Sequence, residues 1–219
     1  MKIPQTLAAL AALSILALLA HPAQAAVTLI AQDSTAQAGG SGSFEVDLVN
    51  TGTTPYQVSG FNFELSLPSD SGVTFTDAEF NTAAPYIFSG NSFDEANGLT
   101  LAISSLPTTD LLAGDSVNTK NSFTTVSPGD TFGLGNISYN VALGTGLGPV
   151  TVSFENNFNS TFLADGNGDN NTIPFTTQNG TILVTPNISP APEPSQVGML
   201  ALVGIGLGGL LLSARRRAA

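Results

Sequence analysis

The feature that most constrains this chain is a hydrophobic period of two that recurs through its middle. Phe44, Val46 and Leu48 alternate with Ser43, Glu45 and Asp47, and Phe61, Phe63, Leu65 and Leu67 alternate with Asn62, Glu64 and Ser66. The alternation returns at Val73/Phe75, Leu99/Leu101/Ile103, Ile137/Tyr139/Val141/Leu143 and Val150/Val152/Phe154. Successive side chains of a strand point to opposite faces, so each run predicts a strand with one face in a core and one in water. Turn formers separate the runs: Ala38 to Gly42, Asn50-Thr51-Gly52, Pro68 to Gly72, Ser127 to Asp130, Gly144 to Pro149 and Asn179-Gly180. No stretch between residues 27 and 190 carries a helical period; Ala83-Ala84 and Thr109 to Ala113 are compatible with single helical turns. The expected fold is all-β, about nine or ten strands in an antiparallel two-sheet β-sandwich or jelly roll.

One phase slip is visible. Phe132 and Leu134 are apolar on even numbers, whereas Ile137, Tyr139 and Val141 are apolar on odd ones, with Gly133 and Gly135 between. A bulge or corner there would move the strand from one register to the other. Asp110 to Asn121 has little periodicity and reads as a long surface loop.

Missing residue types narrow the function. There is no cysteine, and the single histidine is His21, in the leader described below. Thiol catalysis, disulfides and zinc–thiolate sites are therefore excluded. Lys120 is the one lysine or arginine between Lys2 and Arg215, while all the carboxylates but Glu193 lie between residues 26 and 190. Nucleic-acid binding needs clustered lysine and arginine to displace counterions from phosphates, so no nucleic acid is expected as a partner.

The two ends read as addresses. Residues 1–25 form a signal peptide: Lys2 supplies the positive start, Leu7 to Ala20 the apolar core, and Ala23 and Ala25 the small-x-small site before Ala26. Such a leader implies the Sec translocon and signal peptidase as partners. Residues 26–185 are the expected single domain, and 186–195 a proline-rich spacer holding Pro186, Pro190, Pro192 and Pro194. Residues 196–213 then contain an apolar run, Val197 to Leu212, followed within 214–219 by Arg215, Arg216 and Arg217. That run at helical rise covers about 25 Å, enough for a transmembrane helix with slight bilayer thinning. The arginines hold the C-terminus in the cytoplasm and place the domain outside.

Pro192-Glu193-Pro194-Ser195, one glycine-rich apolar span and a terminal arginine cluster together resemble the PEP-CTERM sorting signal of envelope-forming bacteria. The resemblance implies recognition and cleavage by an integral-membrane exosortase, and so a temporary anchor. An ordinary tail anchor behind a proline-rich hinge is the alternative. The domain carries a second resemblance. Val27 to Ile30, Ala38-Gly39 to Asn50, Val58 to Leu65, Gly129-Asp130 to Val141, Gly148 to Phe154 and Asn179 to Val184 resemble a cohesin-like domain. Cohesins are jelly-roll sandwiches related to carbohydrate-binding modules, and in cellulosomes they grip dockerins. No motif here carries over the dockerin-contacting residues.

Three kinds of site are open. Asp165, Asn167 and Asp169, on a glycine-rich loop, offer oxygen ligands at alternating positions that suit calcium. Against this, Asn170 stands where an EF-hand loop has glycine and Thr176 where it has glutamate, and Asp, Asn and Gly are also ordinary turn residues. A carboxylate-based glycosidase would draw on Glu45, Glu64, Glu79, Asp94, Glu95 and Glu155, of which Glu45, Glu64 and Glu155 fall on polar strand phases. Sugar stacking would use Tyr56 in a turn, Tyr86, Phe88 or Phe93. The expectation is a non-enzymatic, exported cell-envelope protein that binds exopolysaccharide or a matrix protein. The alternatives are a permanently tail-anchored structural protein and a glycosidase.

Overall fold

The computed structural model describes residues 26–80, 85–94, 102, 104–119, 122–155, 160–166 and 172–187. Twelve strands lie within them: β1 (Val27–Ala31), β2 (Ser34–Gln37), β3 (Ser41–Asn50), β4 (Tyr56–Ser66), β5 (Val73–Glu79), β6 (Asp110–Ser116), β7 (Thr124–Val126), β8 (Thr131–Val141), β9 (Gly148–Phe154), β10 (Phe162–Asp165), β11 (Phe175–Gln178) and β12 (Gly180–Thr185). One sheet has the order β11-β1-β3-β8-β5. The other runs β10-β4-β9-β12-β2, with β6 and β7 also paired to β4. The two-sheet sandwich predicted from the period of two is the observed fold.

Most inward residues are those the alternation named, with Ile182 added; Leu143, which it also named, lies beyond the end of β8 and is exposed. Phe44, Val46, Leu48, Phe75, Ile137 and Tyr139 from the first sheet meet Phe61, Phe63, Leu65, Val152 and Ile182 from the second, all buried. Phe44 packs with Phe75 and Tyr139 at ring separations of 6.3 and 6.1 Å, and Phe61 stacks on Phe63 and Phe88. Each such ring removed from water contributes about 1.5–3 kcal/mol. Tyr139 also crosses the layer, its hydroxyl 2.9 Å from Ser34 Oγ on the opposite sheet.

The phase slip is a bulge. Val46 pairs with Gly135 and Asp47 with Gly133, so Leu134 is the extra residue on β8. It lets Leu134 and Ile137, of opposite parity, both reach full burial. Asp47, predicted on the polar face, is only 9% exposed and accepts a 2.6 Å hydrogen bond from Gln32 Nε2. Burial pushes its carboxyl above the ordinary aspartate range, with the Gln32 bond acting in the opposite direction.

Other expectations are corrected. Asp110 to Asn121 is not one long loop, and Thr109 to Ala113 is not a helical turn: residues 110–116 are β6, paired along β4 from Ser66 to Gly60. Its alternation is real but disguised, because the inward positions are Leu111, Ala113 and the carboxylate Asp115. Tyr56 begins β4 rather than sitting in a turn. Not every pairing is antiparallel. β1 runs parallel to β11, and β2 parallel to β12.

Those parallel pairs arise because both terminal strands change sheets at one corner. The chain passes from β1 to β2 through Gln32 and Asp33, and from β11 to β12 through Asn179. Asp33 Oδ1 accepts from Thr181 N at 2.8 Å, tying the two crossings together. Gly180 is required there, since a Cβ would stand 2.7 Å from the Ala31 carbonyl oxygen. The expected strand near Leu99 to Ile103 is described only at Ala102, which bridges to Ala113. Ala83-Ala84 lies outside the described residues, as do the leader and the tail beyond residue 187. Among the described residues no helix is long and apolar enough to cross a membrane.

Candidate functional site

On the outer face of the second sheet, β4 lies between β10 and β6. Phe162, Asn62 and Gly114 form one cross-strand row, and Ala164, Gly60 and Ser116 the next. Two glycines and an alanine in adjacent rows strip side chains from the sheet, leaving backbone at the floor of a depression of about 360 Å³. Asn62, Phe162 and Ser116 line it, with Asp94 also at its wall. At Gly114 a side chain does not fit, because the Asn62 amide already lies over it. A Cβ on Gly114 would collide with Asn62 Oδ1 and stand 2.6 Å from the Phe61 carbonyl oxygen.

Beneath one end of this depression lies a buried carboxylate. Asp115 pairs across the sheet with Phe61, which directs it inward, and it is 7% exposed. Its Oδ2 accepts from Tyr86 OH at 2.5 Å and Ser92 Oγ at 2.6 Å. Its Oδ1 accepts from Asp94 N at 3.1 Å and from Ser116 N at 2.7 Å. Four donors of this kind fill the lone pairs of a buried carboxylate. Functionally it is a clamp, fastening residues 86–94 to β6 while Phe88 stacks on Phe61 below. Burial, then the bond to Asp115, hold the Tyr86 hydroxyl well above the ordinary tyrosine range.

Asp94 registers the same charge. Its carboxyl is pushed up to about 6, first by burial and then by repulsion from Asp115. A carboxyl raised in the folded state holds its proton where the unfolded chain has lost it. Its stabilising contribution is therefore complete below about pH 4 and lost as pH rises through about 6. Asp94→Asn is expected to flatten the fall in melting temperature between pH 4 and 7, measured by calorimetry across that range. An unchanged slope would refute the assignment.

The structure separates most of the sequence's other candidates but brings Glu64 and Glu155 side by side, where the β4–β9 pairing continues one residue beyond Leu65 and Phe154. Glu45 and Glu79 flank Asn136 in one row of the first sheet, a strand apart on either side, roughly 10 Å between backbones. Glu64 and Glu155 lie on the other sheet, where Glu155 N donates to Glu64 O at 2.9 Å and Ser66 Oγ donates to Glu155 Oε1 at 2.8 Å. Asp94 is brought to Asp115 instead of to any of these, and Glu95 lies outside the described residues. Tyr86 and Phe88 are core residues, Tyr56 packs against the core, and Phe93 remains 44% exposed. Asp165 ends β10, with its carbonyl accepting from Ser59 Oγ at 3.1 Å. Asn167 and Asp169 lie outside the described residues, as do Ala23, Ala25, Pro192, Glu193, Pro194, Ser195, Arg215, Arg216 and Arg217; Ala26 is described and precedes β1. Among the described residues no group of three or more His, Cys, Asp or Glu side chains is placed to hold a metal. Sequence reasoning missed Gly60, Gly114 and Asp115. Their one signal was glycine inside an otherwise apolar strand pattern.

No protein-family model matches the chain, and no curated protein sequence matches it. Solved structures do resemble it. The seventh ScaB type I cohesin of Pseudobacteroides cellulosolvens superposes with a TM-score of 0.53 at 12% identity, covering 76% of this chain and 97% of that one. The third cohesin ScaC of Acetivibrio cellulolyticus, solved in complex with the ScaB dockerin, gives 0.54 at 11% identity, covering 72% and 98%. CaCohA2 of Clostridium acetobutylicum gives 0.55 at 17% identity, covering 75% and 94%. At such identities the likeness establishes architecture alone: the described residues form an all-β, two-sheet sandwich that matches the cohesin fold.

Proposed function

We propose that this chain is a non-catalytic, exported envelope protein whose cohesin-like sandwich docks a protein partner outside the cytoplasm. In this reading residues 1–25 are removed by signal peptidase after Sec export. Residues 26–185 are the working domain, 186–195 its spacer, 196–213 the membrane helix and 214–219 the cytoplasmic end. The PEP motif at Pro192 to Ser195 delivers the chain to an exosortase, which releases the domain to the surface or matrix.

The observation that carries the docking role is the glycine-floored depression between β10, β4 and β6. A bare patch of sheet backbone, rimmed by Asn62 and Phe162, admits a partner's side chain to a rigid surface. A protein partner is favoured over polysaccharide. Two of the aromatic residues that would form a sugar platform, Tyr86 and Phe88, are consumed by the core. The Acetivibrio cohesin named above is held by a protein, and the same kind of partner is proposed here. A domain with this excess of carboxylates selects a neutral or basic partner surface.

The test is a paired substitution in the full chain. Ala164→Arg fills the depression from β10, whereas Ser43→Arg adds the same charge to the exposed face of the first sheet. Partner capture in the native envelope, read by cross-linking and mass spectrometry, is expected to fall roughly tenfold or more for Ala164→Arg alone. Equal capture by both variants would remove the depression from the reading.

A further inference from the structure

We propose that the end of the sandwich from which the chain leaves β12 rests on a lipid surface, with Leu143 and Leu147 entering the bilayer interface. This rests on the reading that residues 196–213 span a membrane. Leu143 is 83% exposed and Leu147 61%, more than any other large hydrophobic among the described residues. Both belong to the connection between β8 and β9, and no charged residue occurs from Thr131 to Phe154. The connection is braced. Thr145 Oγ1 donates to Ala142 O at 2.7 Å and to Gly72 O at 3.3 Å, and Ala142 N donates to Gly72 O at 2.8 Å. A rigid turn thus holds two leucines in water, an arrangement that core packing does not explain.

Their position supplies the occupant. Leu143 lies against Gly39, whose neighbour Ala38 donates its N–H to Thr185 O at 3.0 Å. Leu147 precedes Gly148, which pairs with Val184. The two leucines therefore flank Thr185, the last residue of β12. From Asn187 to Val197 the sequence can reach at most roughly 35 Å at full extension. When the apolar run is in a bilayer, this end of the domain is confined near the lipid surface at high effective concentration. The opposite end, where Val27 pairs with Asn50, lies the length of β3 away, about 30 Å. The lipid surface must be electrically neutral, because the carboxylates, with exposed Asp70 in the neighbouring turn, oppose an anionic one.

The absence of cysteine makes the test direct. The full chain carrying Leu143→Cys, labelled with an environment-sensitive fluorophore, is reconstituted into phosphatidylcholine liposomes containing a nitroxide-lipid quencher. Thr53→Cys, exposed at the far end, is the control. Co-flotation with the liposomes is expected for both. The label at position 143 should be blue-shifted and quenched several-fold more strongly than that at 53. Flotation with equal, water-like signals at both positions would overturn the proposal while leaving the membrane span intact. Failure to float would bring down the span, and the proposal with it. A blue shift at 143 that ignores the lipid quencher but grows with protein density would assign the leucines to a second copy instead, and overturn lipid contact.

Discussion

Asp115→Ala is expected to destabilise the domain by about 3 kcal/mol, one of the largest effects of any polar substitution in it. The change takes the acceptor from two buried hydroxyl bonds, Tyr86 OH and Ser92 Oγ, and from the Asp94 N–H. Each buried polar group so stranded costs about 1–3 kcal/mol, while removal of a buried charge and relief of Asp94 return part of that. Loss dominates because four bonds, counting that from Ser116 N, fail together. Asp115→Asn keeps one acceptor oxygen and should cost about half as much. It should also let the Asp94 carboxyl fall back from about 6 toward its ordinary range. Urea denaturation of both variants, with carboxyl titration of the Asn form by NMR, measures these effects. A loss below about 0.5 kcal/mol for Asp115→Ala would mean that the clamp is ornamental.

Substitution of the sorting motif is expected to be all-or-none. Intact-mass measurement on protein from the native host's surface and medium should find a species beginning at Ala26 and ending between Pro192 and Ser195. Glu193→Ala should abolish that species and leave the chain in the membrane, still carrying Arg217. The physical basis is that an apolar span of this length costs far too much to leave a bilayer unaided, so release requires a cut before Val197. Wild-type protein found only in membranes and ending beyond Arg217 would replace the exosortase reading with a plain tail anchor. The docking reading would survive that result, because it depends on the sheet face and not on the mode of release.

The core was legible in the sequence because alternation reports burial wherever a strand's inner residues are all apolar. Phe61, Phe63 and Leu65 on β4 are the plain case. The bulge on β8 was legible for the same reason, since a parity change between Leu134 and Ile137 has few other causes. β6 was not. One of its three inward positions is Asp115, whose burial depends on hydroxyls contributed from Tyr86 and Ser92, far away in sequence. The depression was hidden in the same way. Gly60, Gly114 and Ala164 are unremarkable separately, and only the pairing of β4 with both β6 and β10 puts them in adjacent rows.

What the sequence by itself determined is the class of fold and the chemistry left out of it. Period-two burial between residues 27 and 185 demands sheets with one dry face, and a domain without cysteine, with one lysine and with fifteen carboxylates (sixteen less Glu193) cannot present thiol or phosphate-binding chemistry. These are local or additive properties, and each residue votes independently of where its neighbours end up. Only the tertiary structure decided how the terminal strands divide between sheets, which faces carry the glycine floor, and where the exposed leucines stand relative to Thr185. Those features depend on contacts between residues far apart in the sequence, such as Asn62 with Gly114, Thr181 with Asp33 and Ala38 with Thr185. No local pattern encodes such contacts. They follow from closing two twisted sheets around one core, where a single register satisfies the backbone hydrogen bonds and the apolar faces together.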